Sequence, residues 1–168
     1  MSNIILEKEQ QQAVDEATRW YNLANDKRFI LAGLAGTGKS TIVDFIINGL
    51  GILKQDVAFA TYTGKAALVL RRKGIPCKTI HKLIYTPEED DEGNLKFTLN
   101  EKLERPYQLI VIDEASMVDS EIREHLESFN VPVLYIGDHG QLPPVSGAKE
   151  NLLLKPNIKL EKIHRQAE

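Results

Sequence analysis

The sequence holds a single cysteine, Cys77, so no disulfide can form within the chain, and a lone thiol fits a reducing compartment. Its four histidines are scattered, and no Cys/His cluster has the spacing of a metal site. No apolar run approaches the ~20 residues that cross a bilayer, so no membrane partner is expected. The stretch Met1-Ser2-Asn3-Ile4-Ile5-Leu6-Glu7-Lys8 is too short and too soon charged for a signal peptide. Internal repeats and low-complexity linkers are missing as well. The 168 residues suffice for one domain with a real core and are short for two.

Acid is also missing locally. From Val57 to Pro87 there is no Asp or Glu, but six cations: Lys65, Arg71, Arg72, Lys73, Lys78 and Lys82. An acidic run, Glu88-Glu89-Asp90-Asp91-Glu92, follows at once. The formal net charge of −3 argues against bulk polyanion binding, yet this segment can present a basic stripe to a phosphate backbone. A solvated helix face beside a solvated loop would look the same by charge alone.

What is present is organised around Gly33-Leu34-Ala35-Gly36-Thr37-Gly38-Lys39-Ser40-Thr41. This is the pattern of glycine, four residues, then Gly-Lys-Ser/Thr. Phe29-Ile30-Leu31-Ala32 before it reads as a buried strand, and Ile42 to about Leu50 as a helix stopped by Gly51. Glycines let successive N–H groups turn toward one anion, and the helix N-terminus adds partial positive charge. Lys39 is expected to reach the β- and γ-phosphates of a nucleotide, and the Ser40 hydroxyl to ligate Mg²⁺.

The remaining elements alternate. Glu7–Ala24 reads as a helix with Val14, Ala17, Tyr21 and Ala24 on one stripe, Trp20 and Tyr21 being packing residues. Val57–Thr61, Gln108–Ile112 and Val131–Ile136 read as further strands, with Asn157–Leu160 as a candidate last one. Gly64–Lys73 and Asp119–Phe129 read as helices, Ile75-Pro76-Cys77 as a break, and Thr79–Ile84 as short and helical or irregular. The segment from about 86 to 100 reads as an inserted hairpin turning at Glu92-Gly93-Asn94. Continuously apolar strands alternating with helices predict an α/β fold, a parallel sheet with helices on both faces. Ligands bind such sheets at the carboxyl ends of the strands.

Asp113-Glu114 stands at one of those ends. Asp113 is expected to hold Mg²⁺, and Glu114 to orient and deprotonate an attacking water. Gly137-Asp138-His139-Gly140-Gln141-Leu142-Pro143-Pro144 stands at another. Gln141 can bond the γ-phosphate or the water, because an amide both donates and accepts. His139 reads as a surface residue. These residues imply an Mg²⁺-dependent nucleoside triphosphatase whose coupled load is open.

The ordered set resembles the first motor domain of a superfamily 1 DNA helicase, in the branch of RecD-like and Dda-like proteins, from Leu6 to Gln166. Leu6, Gln10 and Ala13-Val14 resemble its N-terminal glutamine motif, which implies that Gln10 reads the adenine of ATP. Thr63-Gly64-Lys65-Ala66-Ala67 and Thr79-Ile80-His81 resemble its DNA-contacting motifs, which implies DNA contacts at Thr63, Lys65, Thr79 and His81. Asp113-Glu114-Ala115-Ser116-Met117 and Gly137-Asp138 with Gln141-Leu142-Pro143-Pro144-Val145 match two further motifs. His164-Arg165-Gln166 resembles the one whose arginine contacts the γ-phosphate. Tyr62 departs from the pattern, which often has proline there.

The resemblance implies a RecA-like P-loop NTPase domain over residues 1–168 that uses ATP and Mg²⁺, binds single-stranded DNA and moves 5′ to 3′. It implies a monomer in the cytoplasm of a prokaryotic cell or phage-infected host. It places a strand-separating hairpin subdomain at 86–100, where Phe97 stacks on a base or, the favoured reading, forms the hairpin's own core. A second motor domain of the same full-length protein is expected to supply an arginine finger, and without it slow turnover is expected. The alternatives are a nucleotide-binding regulatory module without turnover and, against the Asp113-Glu114 and Gln141 signals, a small-molecule kinase.

Overall fold

A computed structural model of the chain describes residues 4–140 and 151–163. The chain opens with α1 (Lys8–Leu23), β1 (Arg28–Gly33) and α2 (Lys39–Leu50), followed by β2 (Val57–Thr61) and α3 (Gly64–Arg72). Then come β3 (Cys77–Thr79), α4 (Ile80–Ile84), β4 (Tyr85–Glu89), β5 (Leu95–Leu99) and β6 (Leu109–Asp113). It closes with α5 (Ser120–Glu127), β7 (Val133–Gly137) and β8 (Ile158–Leu160).

Six strands form one parallel sheet in the order β3-β2-β6-β7-β1-β8. Successive strand side chains point to opposite faces, so each apolar strand feeds two cores. Phe29 and Leu31 join Val57, Val111 and Leu134 under the apolar stripes of α1 (Ala13, Val14, Ala17) and α2 (Ile42, Val43, Ile46, Ile47). Ile30, Ala58, Ala60, Ile110 and Ile112 face the other way, onto Ile80 and Ile84 of α4 and Ile122 and Leu126 of α5. Trp20 packs on Phe29, with ring centroids 5.5 Å apart, as expected of a packing residue. Among the described residues no helix is long and apolar enough to cross a membrane.

Two local readings change. The expected break at Ile75-Pro76-Cys77 gives way after Pro76, because Cys77–Thr79 adds an edge strand to β2 with Cys77 opposite Phe59. Three residues carry too little pattern to announce a strand; the pairing partner supplies it. The hairpin forms as an antiparallel pair, β4 with β5, and Asp90 holds its turn by accepting the N–H groups of Glu92 and Asn94. Those N–H groups hold the Asp90 carboxyl below its ordinary pKa. The hairpin has no core of its own, however. Its strands are almost wholly exposed, and Phe97, 48% exposed, leans edge-on against His81 at 5.6 Å.

Cys77 is 1% exposed, and burial pushes its thiol up to about 11. A thiol must ionise to react. A disulfide reagent at pH 8 should therefore leave the folded chain almost untouched and titrate one thiol per chain in denaturant. Fast reaction of the folded chain would show that β3 opens readily.

Candidate nucleotide and nucleic-acid site

Because the sheet is parallel, the carboxyl ends of β1, β2, β3, β6 and β7 lie along one rim. The phosphate loop leaves β1, Thr63 follows β2, Thr79 ends β3, Asp113 ends β6 and Asp138 follows β7. The sequence motifs meet there because the topology brings together the strand ends that carry them.

The loop has the expected form. Gly36 and Gly38 sit at φ +80° and +81°, the left-handed region that a side chain disfavours. A Cβ on Gly33 would meet Thr37 Oγ1 at 2.7 Å, so the loop closes tightly on itself. Gly38 caps α2 without a side chain, which leaves first-turn N–H groups turned toward the loop. Leu34, Ala35 and Thr41 complete the segment, with Ala35 and Gly36 exposed. Lys39 lies across the loop and donates from Nζ to the carbonyls of Gly33 and Leu34, both at 2.8 Å. Burial lowers its pKa, while the charges of Asp138 and Asp113 raise it again. Asp138 was not singled out as a site residue from the sequence; it follows β7 on the same rim, and its charge acts on Lys39.

Gln10 is 8% exposed and wedged between helix and loop. Its Oε1 accepts the N–H of Glu7 at 3.1 Å, and its Nε2 donates to the Thr37 carbonyl at 3.2 Å. Among the described residues, each end of the carboxamide makes one such bond, which leaves a second N–H and a second lone pair.

Ser40, Asp113 and Glu114 line a cleft of about 400 Å³ together with Thr61, Thr63, Lys65 and Lys73. Its oxygen donors, a hydroxyl and a carboxylate, suit a hard cation such as Mg²⁺, which keeps several waters and phosphate oxygens as ligands. No group of three His, Cys, Asp or Glu among the described residues could hold a metal ion by itself. Glu114 has φ 53° and ψ 46°, a left-handed backbone unusual for a side-chain-bearing residue. Its N–H donates to Asp113 Oδ1 at 2.8 Å, which helps hold that turn. Such a conformation costs on the order of 1–3 kcal/mol and persists where surrounding structure enforces it. Here it leaves the Glu114 side chain exposed at the cleft.

The candidate DNA residues divide. Thr63 and Lys65 are exposed beside this cleft, and the Thr63 hydroxyl accepts the Ala66 N–H as the cap of α3. Thr79 caps α4 in the same way through Lys82. Both hydroxyls keep their own hydrogen for a phosphate oxygen. His81 is the hub of a ring cluster, with Tyr85 at 5.2 Å, Phe97 at 5.6 Å and Tyr62 at 6.2 Å. Tyr62 and Tyr85 were missed as candidates. Tyr62 had one available signal, its place directly before Thr63. Of the six cations, Arg71 is exposed but has a guanidinium N–H committed to the Cys77 carbonyl at 2.8 Å, and Lys78 is half-buried and pairs with Glu104. Lys65, Arg72, Lys73 and Lys82 remain exposed. The Nδ1 of His139 is buried and has no partner among the described residues, so His139 is not the plain surface residue expected. Gln141 and Arg165 lie outside the described residues.

Residues 5–168 match the family described as AAA domain. The chain is similar to the ATP-dependent RecD2 DNA helicase of Deinococcus radiodurans, with 34% identity over 96% of this chain and 22% of that protein. It is also similar to the ATP-dependent DNA helicase dda of Enterobacteria phage T4, with 30% identity over 74% of this chain and 30% of that one. The crystal structure of the Pif1 helicase from Candida albicans shares the fold at a TM-score of 0.59 and 24% identity, over 97% of this chain and 41% of that chain. The chain thus spans about a fifth to a third of the length of these two curated relatives.

Proposed function

We propose, for a chain that belongs to the AAA domain family and is the N-terminal motor domain of a superfamily 1 helicase of the RecD-like and Dda-like branch, that it binds Mg–ATP and single-stranded DNA on one rim and hydrolyses the ATP to drive movement in the full-length protein. The observation that carries this reading is the shared cleft: Ser40, Asp113 and Glu114 line the same space as Thr63 and Lys65. A change at the γ-phosphate there has only a short path to the strand.

Each residue then has a task. The loop N–H groups and the α2 N-terminus bind the phosphates. Lys39 leaves the Gly33 and Leu34 carbonyls and takes phosphate oxygens instead. Ser40 and Asp113 hold Mg²⁺, which when bound neutralises charge on the β- and γ-oxygens. Glu114 orients the attacking water and takes its proton, Gln141 bonds the water or the γ-phosphate, and Arg165 contacts the γ-phosphate. The two unused valences of Gln10 match adenine, whose amino group donates and whose N7 accepts. Thr63, Lys65 and Thr79 hold the strand's phosphates, while His81 with its ring cluster faces the bases. A second motor domain in the full-length protein closes the γ-phosphate side with an arginine finger, a contribution worth ~10³–10⁵ in rate in related phosphoryl transfer.

Lys65 gives the direct test of the DNA half. In an anisotropy titration with a labelled single-stranded oligonucleotide, Lys65→Ala should bind more weakly and reduce the slope of log K against log salt by about 1. An unchanged slope removes Lys65 from the strand. Nucleotide binding with no oligonucleotide binding in the unaltered chain would favour the regulatory module.

A further inference from the structure

We propose that an apolar cavity backing onto the metal cleft is a regulatory site for a small aromatic amine, one ring with one ammonium group, which competes with Mg²⁺ for Asp113. Binding in the cavity stands apart from the nucleotide reading; the competition rests on the proposed role of Asp113.

The cavity measures about 70 Å³ and lies where α2 and the end of α3 meet the sheet. Phe59, Val111 and Ile136, from three neighbouring strands, line it together with Val43 of α2 and Leu70 of α3. Val43, Val111 and Ile136 are buried, whereas Phe59 and Leu70 are half-buried. The chain bends at the end of α3, where Gly74 stands at φ +84° and the Ile75 N–H returns to the Leu70 carbonyl at 3.1 Å. A Cβ on Gly74 would meet no atom within 4 Å beyond its chain neighbours, so nothing fills the space beside the bend. Native cores leave few voids larger than a water. One water needs roughly 10–15 Å³ of such space, so this cavity has room for several waters or for one small ring. Waters would find few partners on this lining, and apolar cavities stay dry and take benzene-like guests. A partner's helix, about 10–12 Å across, does not fit.

The charged residues that line the cavity choose the guest. Lys54 pairs with Asp44 at 3.6 Å, both exposed, so their charges cancel. Asp113 then sets the sign. Its Oδ1 accepts the Glu114 N–H, and a carboxylate keeps lone pairs for further donors. Its charge reaches both Lys39 and Cys77 and raises the pKa of each. The Lys39 ammonium is held by the Gly33 and Leu34 carbonyls. A ring in the cavity with its ammonium toward Asp113 satisfies both the apolar lining and the carboxylate. Ser40 and Asp113 line this cavity and the metal cleft alike. An ammonium on Asp113 and a Mg²⁺ there exclude each other, so an occupied cavity leaves the nucleotide without its metal.

Benzylamine, protonated at neutral pH, is the probe. In ¹H–¹⁵N spectra of the chain without nucleotide it should shift the amides of Val43, Phe59 and Leu70, with a Kd on the order of 0.1–1 mM. Benzyl alcohol, which keeps the ring and loses the charge, should bind about tenfold more weakly, the scale of one charge-assisted hydrogen bond. Methylamine should leave those amides in place. Asp113→Asn should make benzylamine and benzyl alcohol equal. Leu70→Trp, which fills the cavity from its wall, should abolish binding, and Leu68→Trp, at an exposed position of the same helix, should not change it. Saturating Mg–ATP should weaken benzylamine about tenfold. Equal affinity for benzylamine and benzyl alcohol in the unaltered chain overturns the inference, as do shifts away from the cavity or Mg–ATP that binds without weakening benzylamine. If Leu70→Trp does not fold, the alcohol and Asp113→Asn decide. If the chain takes up no Mg–ATP, the proposed function fails, and the benzylamine titrations still decide the cavity. Shifts at these amides that grow with chain concentration and not with benzylamine make the occupant a side chain of a second copy, and overturn the inference too.

Discussion

Lys39→Ala should lower the affinity for Mg–ATP by roughly 100-fold, the scale of a charge-assisted phosphate contact in a partly dry site. The ammonium rests on its own loop and must change partners to meet a phosphate. It bonds two loop carbonyls at 2.8 Å, and the carboxylates of Asp138 and Asp113 are close enough to raise its pKa against the effect of burial. Binding trades carbonyl partners for phosphate oxygens, so the lysine supplies charge without a new burial cost. Alanine removes the charge and leaves the N–H groups of the loop and of α2 in place. The variant should stay folded, because Lys39 sits at the start of α2 and belongs to neither apolar core. Loss of binding with an unchanged melting temperature is the expected pair of results, read by calorimetry and thermal denaturation. Unchanged affinity would remove the loop from nucleotide binding.

If Glu114 is the proposed general base, Glu114→Gln should lower the rate of ATP hydrolysis by about 10²–10⁴, the span of a lost general base, and leave Mg–ATP affinity within about twofold. The carboxylate is exposed at the cleft and held there by a left-handed backbone. Glutamine fits the same space and backbone, so the turn through Asp113 and Glu114 survives, but its amide cannot take a proton from water. Single-turnover hydrolysis of bound ATP separates this from a binding defect. If the variant hydrolyses at the unaltered rate, the proton goes elsewhere and Glu114 has no part in the chemistry.

The elements that were legible in the sequence are those whose signal is local. Strands β1, β2, β6 and β7 are apolar on both faces, which only a covered parallel sheet requires. The phosphate loop shows itself because glycine is needed at φ +80° and +81°. What escaped depends on partners distant in sequence. β3 is three residues that become a strand only beside β2. Phe97 reads as the core of its hairpin, but the side chain that covers it in part is His81, in another element. Tyr62 looks like a departure from a family pattern, while in space it flanks His81. Glu9 looks like an ordinary first-turn acid until the far end of the chain folds onto it. Lys39 reads as a phosphate ligand from its motif, and no sequence pattern reveals that it rests on the carbonyls of its own loop.

The central claim is that one nucleotide sits on this loop with its metal at Ser40 and Asp113. The most direct measurement is a calorimetric titration of ATP into the unaltered chain with magnesium present, repeated after magnesium is withdrawn with EDTA. The account predicts one ATP per chain with magnesium and clearly weaker binding without it. A folded chain that takes up no ATP, or one that binds it equally well in EDTA, would contradict it.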